Sequence, residues 1–383
     1  MWRNLKVRSP ARSGADRRGV GFRALRGWAA SLVLAALAGC ASAPAGGGVD
    51  LSVKPGAPSW PPPPETARFA LVGELIGEAD FAAEGRARRG AARILRAIAG
   101  LAIGKRKYRE LRRPVAGFTA EDGSVVVADM SLHAIVKFDF TQSKLVLWTE
   151  AARKEPFIAP TAVISDGAGG VYVSDVEKGE IFHLDTEGKP LGRFGAGKLR
   201  RPLGLARDPA DGAIFVADAG DHAVKKFSPS GELLAVIGAP GQAAGAFNTP
   251  THLTFADGRL YVSDTFNFRV QEFDRDGRAL MSFGENGISI GDLARPKGVA
   301  VGEGGRIYVV ESLFDRLLVF DPEARLLMTL SGEGEKAPAF YLPSGVWTDG
   351  AGRVYVADMF NGRVVVYQEL TPLKPEAIDD GAD

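Results

Sequence analysis

The sequence predicts an all-β fold: a six-bladed β-propeller closed by a strand from its amino-terminal side, with one short amphipathic helix inserted before blade one. Three observations predict it. One pattern recurs six times: a proline, a short apolar stretch, an Asp/Gly turn, then a run such as VVVAD, VYVSD, IFVAD, LYVSD, IYVVE or VYVAD. The opening prolines are Pro114, Pro160, Pro202, Pro250, Pro296 and Pro343, spaced by 46, 42, 48, 46 and 47 residues. A period in the mid-forties with about four short strands per unit marks a propeller blade, a small sheet whose faces are buried only against its neighbours. Next, an acid closes the second run 14 to 16 residues after each proline: Asp129, Asp175, Asp218, Asp264, Glu311 and Asp358. Finally, five units end in an outer apolar run, as at residues 233–237 and 280–283, whereas the sixth turns polar after Tyr367. The upstream segment Phe69-Ala70-Leu71-Val72-Gly73 resembles those outer runs and would cover the edge left bare in the last blade.

Along the chain, residues 1–39 read as a signal peptide, 40–66 as a tether, 67–370 as the propeller and 371–383 as an acidic tail. The leader is arginine-rich and ends in a ten-residue apolar run from Trp28 to Leu37, too short to span a bilayer but suited to a signal-peptide core. Leu37-Ala38-Gly39-Cys40 resembles the lipobox of bacterial lipoproteins. That resemblance implies cleavage before Cys40 and diacylglycerol on its thiol. It also implies a mature protein held in the bacterial cell envelope, at the outer membrane facing the periplasm, since Ala41 is not the aspartate of inner-membrane retention. Cys40 is the sole cysteine, so no intrachain disulfide exists. Ala, Gly, Ser and Pro dominate 41–66, and Pro61 to Pro64 form a stiff polyproline stretch.

Residues 80–104 predict the inserted helix, with Ala87, Ala91, Ile94, Leu95, Ile98 and Leu101 on one face and arginines on much of the rest. It either packs on the ring or rests on anionic lipid or an acidic partner. Gly-rich turns such as Asp122-Gly123, Asp257-Gly258 and Gly304-Gly305 supply the positive φ of tight hairpins. Net charge is +1, but residues 1–39 hold eight of the basic residues and one acid, leaving 39 basic against 45 acidic, or −6. That balance excludes wholesale nucleic-acid binding.

The units resemble NHL repeats, in which the acid ending the second strand is followed by Asn-x-Arg. Asp264, Asn267 and Arg269 match in unit four and Asp358, Asn361 and Arg363 in unit six; unit five keeps Glu311 and Arg316, and units one to three lose the arginine. The resemblance implies the propeller and names no activity. The six acids read as structural acceptors for turn amides, pairing with Arg269, Arg316 and Arg363, rather than as a metal ring.

Some propellers similar to these are enzymes. An amidating lyase carries a zinc-binding histidine directly after the opening proline of three blades. Here those positions hold Val115, Thr161, Leu203, Thr251, Lys297 and Ser344, so that triad is absent. Lactonase-like propellers hold calcium through Glu, Asn and Asp; Asn248 stands alone as a candidate. Of the four histidines, His252 lies two residues after its proline, where three other units have Gly204, Gly298 and Gly345. It reads as a hydrogen-bonded channel residue or as a general base or lone ligand. The turns after the second strands carry Met130, Phe266, Phe268, Leu313, Phe314, Met359 and Phe360. With His252 and Lys297 they define a candidate binding face, the alternative being packing beneath neighbouring loops.

The functional expectation is a lipid-anchored envelope scaffold, not an enzyme, that binds a protein, peptide or glycan. Its only modification would be acylation at Cys40, with no cofactor and no metal. The alternative is a metal-dependent hydrolase or lyase with its site in the central channel near His252.

Overall fold

The computed structural model describes residues 49–81, 109–330 and 339–370. Six antiparallel sheets follow one another in the chain, each winding outward from a strand at the central axis. Blade one is Pro114–Thr119, Val125–Asp129, Ala134–Asp139 and Lys144–Trp148. Blades two to five repeat that order, with inner strands Pro160–Ser165, Pro202–Arg207, Pro250–Ala256 and Pro296–Val301. The second strands are short, β-branched and buried on both faces, as expected of a sheet covered by a blade on either side.

In blades one to five the opening proline lies directly opposite the acid: Pro114 and Asp129, Pro160 and Asp175, Pro202 and Asp218, Pro250 and Asp264, Pro296 and Glu311. Proline tolerates this place because it is the first residue of its strand, where its missing N–H costs no ladder bond. The pairing sets prolines, acids and the turns after the second strands on one face, here called the acid face.

Blade six joins distant segments. Val346–Thr348, Arg353–Asp358 and Arg363–Glu369 are followed in space by Phe69–Leu75. The register runs from Phe69 opposite Glu369 to Leu75 opposite Val364, with a bulge between Leu71 and Gly73. Ser59–Trp60 adds a fifth strand, and the Trp60 ring meets Tyr367 edge-on at 5.3 Å. Leu51 is buried on the other side of the blade, in the wedge between blades six and one. Part of the segment read as a tether is therefore built into the sheet, because Leu51 and Trp60 are apolar side chains with a surface to cover. Of residues 80–104, where the sequence predicts a helix, only Asp80 and Phe81 are described, at the end of a 3-10 turn, Glu78–Phe81, whose Phe81 packs on Phe138 and Phe140. Residues 82–104, residues 1–39, Cys40 and the tail 371–383 lie outside the described residues. No helix among the described residues is long and apolar enough to cross a membrane.

The core is divided among the gaps between blades. Val126, Ile135, Val173 and Phe182 fill the wedge between blades one and two; Phe215, Val224, Val262 and Phe273 fill that between three and four. Tyr308, Leu317, Val356 and Tyr367 join five to six, and Val125, Phe138, Tyr355 and Val364 join six to one. Each such side chain contributes about 1.5–3 kcal/mol on burial, so the ring is held by its interfaces rather than by any single sheet.

Near the axis the inner strands touch. The Gly298 amide donates to the Ser344 carbonyl at 2.8 Å. A Cβ on Gly298 would sit 2.5 Å from the Val346 nitrogen, and one on Gly345 2.7 Å from the Val115 carbonyl oxygen.

Candidate functional site

The acid face is organised by its six carboxylates. Asp129 accepts from the amides of Arg112, Arg113, Ser131 and Leu132, and Asp175 from Ile158, Ala159, Glu177 and Lys178. Glu311 accepts from Arg295, Leu313 and Phe314. Each acid thus ties the residues before its own proline to the turn after its own second strand. Arg269 reaches Asp264 at 2.9 Å and Arg363 reaches Asp358 at 2.7 Å, with Asn267 and Asn361 donating beside them. The expected Arg316–Glu311 pair does not form: the Arg316 guanidinium lies over the Phe314 ring at 5.3 Å. In blade three Lys225 replaces the missing arginine, bonding Asp218 at 2.8 Å and also Asp221. Burial pushes the Asp218 carboxyl up, but Lys225 and the Arg201 and Arg200 amides outweigh it and hold its pKa below the ordinary value.

Four residues after each acid the chain is left-handed: His133, Gly179, His222, Phe268, Asp315 and Gly362 have φ of 52, 64, 52, 60, 55 and 63°. In blades one, three and five the side chain there grips the next blade. His133 bonds the Ile158 carbonyl, His222 accepts from the Thr249 amide and Asp315 accepts from the Leu342 amide. His183 stacks on Tyr172 and meets Asp166 at 2.9 Å. Three of the four histidines thus have structural partners.

His252 differs. The other inner strands carry Ala116, Ala162, Gly204, Gly298 and Gly345 at its level, and this space admits one imidazole. The ring extends from blade four toward blade six, with Nε2 3.5 Å from Ser344 Oγ, while Nδ1 is buried without a hydrogen-bond partner. Enclosure by the channel wall and the charge of Lys297 drive its pKa down to about 3, against a weaker opposing pull from the Val115 carbonyl. At neutral pH it is an uncharged imidazole. Lys297 is itself held below the ordinary lysine value by burial and by the charges of Arg295 and Arg113.

The predicted aromatic face is split. Phe266 and Phe360 are exposed, at 48% and 46%, while Phe268 and Phe314 are half-buried. Met359 is buried in the wedge between blades one and two, with Met130 and Leu342 packed beside it, so Met359 presents nothing to a partner. No ring contact among the described residues joins Phe266, Phe314 and Phe360 to one another. Instead Phe360 lies 5.3 Å from Tyr341 and carries the Arg113 guanidinium 5.0 Å above its ring. Phe266 and Phe268 line a separate hollow of about 190 Å³ with Gln242, Asn267 and Arg269.

Sequence reasoning missed the larger cavity, at the opposite end of the channel. About 390 Å³ is lined by the ends of the inner strands, including Phe118, Arg207, Phe255 and Trp347. It also missed the residues immediately before the prolines of alternate blades: Arg113, Arg201 and Arg295. Their regular spacing was the available signal. No group of three or more His, Cys, Asp or Glu among the described residues is placed to hold a metal.

The NHL repeat family matches residues 199–227, the end of the connection from blade two and the first three strands of blade three. NHL-repeat-containing protein 4 of Mus musculus is 36% identical over 74 residues, 19% of this chain; the match spans about half, 53%, of that curated relative. Among solved structures, a catalytically inactive virginiamycin B lyase from Staphylococcus aureus with quinupristin has a TM-score of 0.52 at 16% identity, covering 70% of this chain and 86% of that one. A Bacteroides thetaiotaomicron protein of unknown function gives 0.53 at 16%, covering 67% and 70%. A luciferin-regenerating enzyme gives 0.52 at 15%, covering 68% and 92%. These likenesses establish the fold alone.

Proposed function

Because the chain is a six-bladed propeller of NHL repeats, a fold that fixes geometry without fixing chemistry, we propose that it is a binding scaffold rather than a catalyst, lipid-anchored through Cys40 in the cell envelope. One observation carries the reading. Phe360 stands exposed between Tyr341 and the Arg113 guanidinium, at the mouth of the channel, on a frame whose turns are pinned by buried acids. Aromatic and arginine side chains held in place by a rigid scaffold lose little freedom on binding, and such residues dominate the energy of recognition. The occupant would be a protein, peptide or glycan of the envelope. Replacing Phe266, Phe314 and Phe360 together by Ser tests this. A folded variant that no longer retains envelope partners supports the scaffold, and undiminished retention refutes it. Replacing Cys40 by Ser and losing membrane association tests the anchor separately.

One observation favours the second reading, a hydrolase or lyase: His252 is a neutral imidazole beside the Ser344 hydroxyl. No described acid orients its free nitrogen, as a general base requires. A chelator that lowers the melting temperature, or tightly held metal in the purified protein, would move the balance to that reading.

A further inference from the structure

The acid face carries a cluster of positive charge that no carboxylate among the described residues answers. Arg113 and Arg295 each stand one residue before an opening proline, and Lys297 stands one residue after. The inner strands of blades one and five begin at that level, so the three cations flank blade six at the channel mouth. At that level the inner strands of blades five, six and one touch: the Gly298 amide meets the Ser344 carbonyl at 2.8 Å, a Cβ on Gly345 would lie 2.7 Å from the Val115 carbonyl oxygen, and the Arg113 guanidinium lies over Phe360 of blade six. After burial, the charges of Arg295 and Arg113 also hold the Lys297 ammonium below its ordinary value.

Among the described residues, no carboxylate lies within ion-pair distance of these three side chains. Elsewhere the buried cations are paired: Lys225 with Asp218, Arg269 with Asp264, Arg306 with Glu369, Arg363 with Asp358 and Glu74. The acids of the blades around the cluster are engaged by other groups, Asp358 by the Arg363 side chain as well as by backbone. Asp129 takes the Arg113 amide, Glu311 the Arg295 amide, Asp358 the Tyr341 amide and Asp315 the Leu342 amide. Two buried nitrogens at this place, Arg113 Nε and His252 Nδ1, have no hydrogen-bond partner. Like charges held together, with the Arg113 Nε–H left unpaired, cost stability unless something supplies an acceptor.

We propose that the channel mouth at blades five, six and one is a receptor for the oxyanion head of a ligand, a carboxylate or a phosphate. Lys297, Arg113 and Arg295 bind the charge. Neutral His252 and the Ser344 hydroxyl form the polar floor, and the ligand's adjoining apolar part lies against Phe360 and Tyr341. Arginine supplies paired donors in a plane and lysine a point charge, a mixture suited to grouped oxygens. The inference rests on the scaffold reading and adds the chemistry of what is bound.

The test uses the full-length protein in detergent and follows its thermal midpoint in phosphate, acetate or chloride at matched ionic strength. The site requires phosphate or acetate to raise the midpoint above chloride. A response to phosphate alone assigns a phosphate head, and to acetate alone a carboxylate head. Lys297→Gln should weaken the apparent affinity by about tenfold or more, the contribution of one charged hydrogen bond. Without anion it should melt no lower than the native protein, since an uncompensated charge has gone. Lys297→Arg should restore the anion response, which separates loss of charge from damage to the fold. Equal midpoints in all three salts, or an anion response that survives in Lys297→Gln, would overturn the site. Either result leaves partner retention by the Phe266, Phe314 and Phe360 variant to judge the scaffold independently.

Discussion

Acidification should destabilise this propeller through a single imidazole. In the unfolded chain His252 titrates near the ordinary histidine value of 6.5, whereas in the folded ring its pKa is about 3. Between those values the unfolded state takes up a proton that the folded state refuses, so protons favour unfolding. The contribution is complete above pH 6.5 and is lost as pH falls toward 3. The slope approaches 1.4 kcal/mol per pH unit, giving about 3 kcal/mol lost by about pH 4.5 and about 5 kcal/mol at the limit. Other groups titrate in the same window, so the informative quantity is a difference. Denaturant melts of the native protein and of His252→Gln, at neutral pH and near pH 4.5, isolate it. The native protein should lose about 3 kcal/mol more than the variant between the two conditions. With four histidines in the chain, the His252 ring is also directly observable by NMR titration. Parallel pH dependences, or a His252 resonance that titrates near pH 6.5, would refute both the enclosure of the ring and its neutrality.

Other outcomes follow from the same geometry. Phe69 is fully buried in the last blade, and Phe69→Ala should cost about 3–5 kcal/mol in denaturant unfolding. Asp358→Ala strands Arg363 and two further donors, the Tyr341 amide and Asn361 Nδ2, and should cost about 3 kcal/mol or more. Glu74→Gln, which touches the same arginine at a half-exposed site, should cost less than about 1 kcal/mol. Gly298→Ala drives a methyl group into the inner strand of blade six and should cost about 1–3 kcal/mol. Gly192→Ala, with open space around it, should stay within about 0.5 kcal/mol.

The blades were legible because propeller physics is written locally. Proline, apolar run, turn and acid recur in each unit, and each acid's hydrogen bonds are made within its own blade. What joins one blade to the next was harder to read. The left-handed position is glycine at Gly179 and Gly362 but histidine, phenylalanine or aspartate elsewhere, so residue identity hid a shared conformation. Lys225 was missed because it sits seven residues after Asp218, not five, and approaches the carboxylate from the adjacent strand position. Arg316 had the right spacing and found a ring instead. Leu51 and Trp60 were read by the composition around them, as linker, although their own apolar surface decides where they lie. At the candidate site the sequence singled out His252 and Lys297. It did not reveal that Arg113 joins Arg295 and Lys297, since Arg113 comes from blade one and meets the blade-five pair only once the ring is closed.

The strand opposite Glu369 begins at Phe69, 300 residues earlier in the chain. A nascent polypeptide emerging from a ribosome therefore completes five sheets before the mate of its first strand exists. Until then the Phe69–Leu75 segment is an adhesive edge, and any chain released early keeps it open to self-association. Final docking is a search over nearly the whole domain, so it should be the slow step of maturation, and chaperone dependence should concentrate there.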